Sequence, residues 1–241
     1  MINKAVKHIR QGTLTNAVYM KAKITMKAKI TGYKRNLYNI TRYGWEAPRF
    51  RETVWIIPSE LTMFMPGNNP GKFFGMSARK SSGEVYSGKV IDYWPEKQAK
   101  SILKHWKISK CVEHWANGIP WFETGIYEPY LRAIKEKGQY VKYGFKSTDD
   151  ITKRYESLDQ IFQQAKRDGR LRKEEEINYT YSFQGKKGMG YTHFGPDCKI
   201  YWSGGSQHRI AIAYVLQIPI PAWIGCVHVS AIPYLKEYRK G

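Results

Sequence analysis

The side chains best placed to do chemistry lie in one string, Tyr201-Trp-Ser-Gly-Gly-Ser-Gln-His-Arg209, which runs on into Ile210-Ala-Ile-Ala213. Adjacent glycines at 204 and 205 let a backbone bend sharply and approach a ligand with no Cβ in the way. A strand entering this bend and a helix leaving it would turn free N–H groups and a positive dipole end toward an anion. Ser206 adds a hydroxyl, His208 a donor, and Arg209 a planar fork suited to phosphate oxygens. Gly204, Gly205, Ser206, Gln207, His208 and Arg209 are therefore the candidate phosphate- or nucleotide-binding residues. A plain strand-to-helix turn, with His208 and Arg209 capping nearby carbonyls, explains the same spacing. Neither GxxxxGK[ST] nor GxGxxG occurs, so those two phosphate loops are excluded.

Two carboxylates are candidate bases. Glu60 follows the apolar run Val54-Trp-Ile-Ile57, and Asp197 precedes the glycine turn. A carboxylate within reach of a hydroxyl can take its proton during phosphoryl transfer. Their ordinary roles would be a capping glutamate and a turn-forming aspartate. His193, His208 and Cys198 fit no zinc spacing, so no protein-held metal is expected, and Mg²⁺ would enter only with a nucleotide. A second candidate surface lies near the start of the chain, where Tyr33, Tyr38 and Tyr43 interleave with Lys34, Arg35 and Arg42. Rings among cations suit nucleic acid. Packing of this segment onto the rest of the chain explains them equally well.

The elements that must position these residues can be read from pattern. Strands are expected at Val54–Ile57, Val90–Trp94, Ile177–Phe183, Lys199–Ser203 and Ala222–Val229. Helices are expected at about Ile2–Ile9, Pro95–Asn117, Glu123–Lys137, Thr148–Asp168 and Gln207–Gln217, several closed by glycine. Ile210–Ile232 is apolar enough to span a bilayer, but Pro219 and Pro221 break it into a buried helix, a turn and a strand. The order gives a mixed α/β domain of the α+β class, with a small sheet and flanking helices.

The chain has 241 residues and a formal net charge of +20. Residues 1–51 hold twelve Lys/Arg against the single acid Glu46. This stretch reads as a basic, partly helical segment, ahead of a domain over 52–241 that carries a helical insertion at about 95–145. Such an excess attracts phosphates or anionic surfaces. Three widely spaced cysteines exclude a disulfide scaffold and fit a reducing, cytoplasmic setting. No transmembrane segment and no secretory leader is expected.

The Gly-to-Arg209 box resembles the G-x-H-R box of the ParB/sulfiredoxin superfamily, whose members bind nucleotide phosphates at this turn. Leu158-Asp-Gln-Ile-Phe-Gln-Gln-Ala-Lys-Arg-Asp-Gly169 is similar to the superfamily's L-x-x-L-x-x-S-I-x-x-x-G helix. Val54–Leu61 resembles its opening strand and turn, and Ile218–Val229 its closing strand. Gly118-Ile-Pro-Trp-Phe-Glu-Thr-Gly-Ile-Tyr127 resembles a stretch of a ParB-like group found among surface-polysaccharide genes. The resemblance implies a ParB/sulfiredoxin-like fold that binds ATP, ADP or CTP, with Mg²⁺. It further implies phosphoryl transfer to a small hydroxyl-bearing acceptor or glycan precursor, with Glu60 or Asp197 as base. Gln207 stands where sulfiredoxins place their catalytic cysteine, which excludes sulfinic-acid repair. Gln207 and Ala211 also depart from the ParB pattern for CTP hydrolysis. The chain after Arg209 is too short for a helix-turn-helix. The alternative is a non-catalytic DNA- or RNA-binding protein that uses Lys34, Arg35 and Arg42.

Overall fold

A computed structural model describes residues 30–65, 86–96, 99–172 and 190–239. The expected helix at Ile2–Ile9 and strand at Ile177–Phe183 lie outside the described residues. The protein is of the α+β class, built on one mixed seven-stranded sheet. Its strands are β1 (Thr53–Ile56), β2 (Met63–Phe64), β3 (Lys89–Ile91), β4 (Lys100–Ser101), β5 (Tyr191–Phe194), β6 (Ile200–Ser203) and β7 (Ile220–His228). Around them lie α1 (residues 30–43), α2 (Trp106–Asn117), α3 (Glu128–Lys137), α4 (Thr148–Asp168), α5 (Gln207–Leu216) and α6 (Leu235–Arg239).

β7 organises the sheet because it is apolar and buried along nearly its whole length. β5 runs parallel to it on one edge. The other edge is shared by antiparallel β1 and parallel β3. The sheet then continues through β6, β2 and β4. The apolar stretch at 210–232 is the expected helix, turn and strand, and among the described residues no helix is long and apolar enough to cross a membrane.

The β5–β7 register shifts between Thr192 and Phe194. There the His193 ring takes over a ladder bond: its Nδ1 accepts the Cys226 N–H at 2.8 Å. Residue 225 has to be glycine, because a Cβ would sit 2.4 Å from that ring nitrogen.

α4 spans the bounds expected from sequence, for local reasons. The Ser147 hydroxyl accepts from the Asp150 N–H, Asp150 accepts from the Ser147 N–H, and Gly169 closes the helix in the left-handed region. Two other helices are shorter than their patterns. α2 starts at Trp106, because Lys100 and Ser101 pair with β2 and the Ile102 N–H reaches the Thr62 carbonyl. α3 starts at Glu128, because Gly125 is left-handed and Pro129 sits in the first turn. β5 and the short β2 were not legible as strands. The stretch 118–127 packs as a knot: Asp159 of α4 accepts from the indoles of Trp115 and Trp121, and Trp121 stacks on His114.

Candidate anion site at the start of two helices

β6 delivers the chain to the glycine turn, and two buried side chains fix where it ends. His193 Nε2 lies 2.5 Å from Ser203 Oγ. Because Nδ1 of that ring already accepts a backbone N–H, Nε2 must carry the hydrogen and donate to the serine. This is the wrong tautomer for a general base, so Ser203 and His193 form a structural clamp rather than a nucleophilic dyad. Burial pushes the His193 imidazole down to about 3.

Beyond the clamp, Gly204 adopts φ 83° and Ser206, the residue before the helix, φ 70°. A serine in the left-handed region is strained, and such strain gathers at functional turns. Open space flanks the Cβ positions of both Gly204 and Gly205. The turn holds its shape through Trp202 Nε1, which donates to the Gly205 carbonyl, and Gln207 Nε2, which donates to the Gly204 carbonyl. No side-chain cap satisfies the first N–H groups of α5, and the same is true of α2, whose N-cap residue is His105.

His208 and Arg209 then diverge. The Arg209 guanidinium donates to the Arg172 carbonyl beyond the end of α4 at 2.5 Å, while its buried Nε has no partner. Burial lowers that guanidinium to about 10. His208 points instead to the start of α2. The residue as a whole is half-buried, and its ring lies edge-on to Tyr155 at 6.0 Å. Its Nε2 is buried without a hydrogen-bond partner. Burial first, then the charges of Lys107, Arg154 and His105, push His208 down to about 3.

Lys107 was not singled out from the sequence. It is only 9% exposed and makes no ion pair among the described residues. Its ammonium lies 5.1–5.5 Å from the ring centres of Trp106, Tyr130 and Tyr143 and donates to the Tyr143 hydroxyl at 3.3 Å. Burial alone would lower Lys107, but the neighbouring phenols outweigh it and the amine is held above its ordinary value. For Tyr143 the balance is reversed: burial would raise the phenol, but Lys107, Lys142 and Arg154 hold it below its usual value. His105 packs on Phe64, with its Nδ1 buried and unpartnered. Burial and then Lys107 lower its imidazole. The cluster thus joins Lys107, Arg154 and two orphaned imidazole nitrogens, and among the described residues every charge acting on His208 is positive.

The remaining candidates lie apart from this cluster. Glu60 is exposed in the turn after β1, beside Tyr238 of α6, whose phenol burial and then this carboxylate push up to about 12. Asp197 belongs to the 3-10 turn Pro196–Cys198, so the backbone puts it and Gly204 at opposite ends of β6. On α1, Lys34 and Arg42 are exposed, but Arg35 turns inward to the Ser87 carbonyl at 2.7 Å and over the Phe50 ring. The chain matches no protein-family model, no curated protein and no solved structure.

Proposed function

We propose that the chain binds a phosphate-bearing ligand, of the nucleotide class, where the first turn of α5 meets the start of α2. One observation carries this reading: among the described residues Lys107 pairs with no carboxylate, and His105 and His208 beside it each keep a buried ring nitrogen unbonded. Buried cations are ordinarily paired, and buried polar atoms ordinarily bonded, so such a cluster calls for an anion. Uncapped N–H groups at both helix starts and open space beside Gly204 and Gly205 suit the same ligand. In this scheme Lys107 supplies fixed charge, His208 and His105 supply directional donors, and the strained turn brings the backbone close. Arg209 shapes the turn by holding the carbonyl at 172.

Transfer of the phosphoryl group to a hydroxyl acceptor is the extension that the ParB/sulfiredoxin resemblance supports, with Glu60 or Asp197 approaching as base only from outside the cluster. The test is a thermal-shift panel of ATP, ADP, CTP and GTP with Mg²⁺, on wild type and Lys107→Met. A ligand that binds the native state raises its melting temperature. The reading expects a rise with at least one nucleotide, lost in Lys107→Met. No rise with any of the four, or an equal rise in the variant, overturns it.

A further inference from the structure

α1 is docked the wrong way round for an ordinary surface helix. Its polar residues face the body. Asn39 Nδ2 donates to the carbonyls of Pro48 and Gly88 at 2.6 and 2.7 Å, Asn36 Oδ1 accepts the Phe50 N–H at 2.7 Å, and Arg35 reaches Ser87. Gly32 lets the helix press on Phe50, where a Cβ would meet the ring at 2.7 Å. The large apolar residues face out: Ile30, Tyr33 and Leu37 recur at three- and four-residue spacing with Tyr38 beside them, and they are 51%, 76%, 69% and 61% exposed in that order. Trp45, 76% exposed, extends this ridge past the helix end. There it borders a shallow groove of about 310 Å³, shared with Tyr43, Val229, Ile232 and Pro233 and edged by Glu46. Lys34 sits within this face, between Leu37 and Tyr38, and Arg42 lies beyond Tyr38; both are exposed.

We infer that this face docks on an anionic phospholipid surface, independently of the phosphate site. Aliphatic side chains beside tyrosine and tryptophan, with cations within and beside the face, suit the boundary between headgroups and acyl chains. The twelve Lys/Arg against one acid in residues 1–51 supply the complementary charge. A nucleic acid would use the cations and rings but gain nothing from Ile30 and Leu37. A second copy would set Lys34 and Arg42 against their own kind. An exposed apolar ridge of this kind marks an interaction surface rather than chance.

The experiment is sedimentation of the full chain with vesicles of phosphatidylcholine alone and with about one-third phosphatidylglycerol, as duplex DNA binding and size exclusion are measured in parallel. The inference expects pelleting with the anionic vesicles only. Tyr33→Glu/Leu37→Glu should weaken it at least about tenfold at unchanged melting temperature, since both residues are exposed. Lys34→Glu/Arg42→Glu should weaken it by more than about tenfold. Three results overturn the inference: no pelleting with anionic vesicles, pelleting that the apolar double variant leaves intact, or a dimer that this variant splits and that ignores vesicles. DNA binding without vesicle binding would transfer the surface to nucleic acid and equally overturn it.

Discussion

Two histidines fifteen residues apart in sequence have imidazoles pushed down to about 3, in both cases first by burial, yet their surroundings are opposite. His193 uses both nitrogens, accepting from Cys226 and donating to Ser203, and Gly225 is cut to fit its ring. His208 leaves Nε2 unbonded where Lys107, Arg154 and His105 all repel a proton. A depressed imidazole by itself therefore marks no site. What separates clamp from candidate site is whether the bonding capacity has been used.

The comparison can be broken most severely at the clamp. His193→Ala leaves a cavity and the buried Cys226 N–H without its partner, so urea unfolding should show a loss of about 3–5 kcal/mol. Gly225→Ala forces a Cβ against the same ring and should lose about 1–3 kcal/mol. At the other pole, Lys107→Met should lose only about 1–2 kcal/mol of unfolding stability, the share of its ring contacts and its bond to the Tyr143 hydroxyl. A loss as large as that of His193→Ala would mean that Lys107 is structural.

Acid sharpens the contrast. Both rings stay neutral in the fold, whereas the unfolded chain takes protons below the ordinary histidine value of about 6.5. Stability should therefore fall as pH drops from that value toward about 3, by about 1.4 kcal/mol per pH unit for each ring. His208→Gln should remove one ring's share of that slope without the collapse expected of His193→Ala. Urea titrations at pH 7, 6 and 5 would read this, and an unchanged slope would show that His208 is already protonated in the fold. The smallest effect is expected at Glu60→Gln, which should change stability by less than about 0.5 kcal/mol because that carboxylate is exposed.

What could be read from the sequence was what is local. Ser147, Asp150 and Gly169 announce both ends of α4, and Gly204-Gly205 announces the turn before α5. Lys107 could not be found this way. In Trp-Lys-Ile-Ser-Lys it looks like any solvated helix lysine, and it becomes a site residue only because Tyr130 and Tyr143, far along the chain, close over it. His208 and Arg209 look like a pair on paper. Consecutive residues of a helix point about 100° apart, which sends one ring to α2 and the guanidinium to the carbonyl at 172. Asp197 and Gly204 are near in sequence but separated by a four-residue strand. β2 is only two residues long, too short for an alternating pattern to show.

The central claim is that the cationic cluster where the start of α5 meets the start of α2 takes a phosphate-class anion. Calorimetric titration of inorganic pyrophosphate into wild type, Lys107→Met and His193→Asn addresses it directly, since this probe carries the charge without a base or sugar. The account predicts saturable binding to wild type, affinity at least about tenfold weaker in Lys107→Met, and retained affinity in whatever fraction of His193→Asn remains folded. Equal affinity in wild type and Lys107→Met, or no heat of binding in wild type, would contradict it.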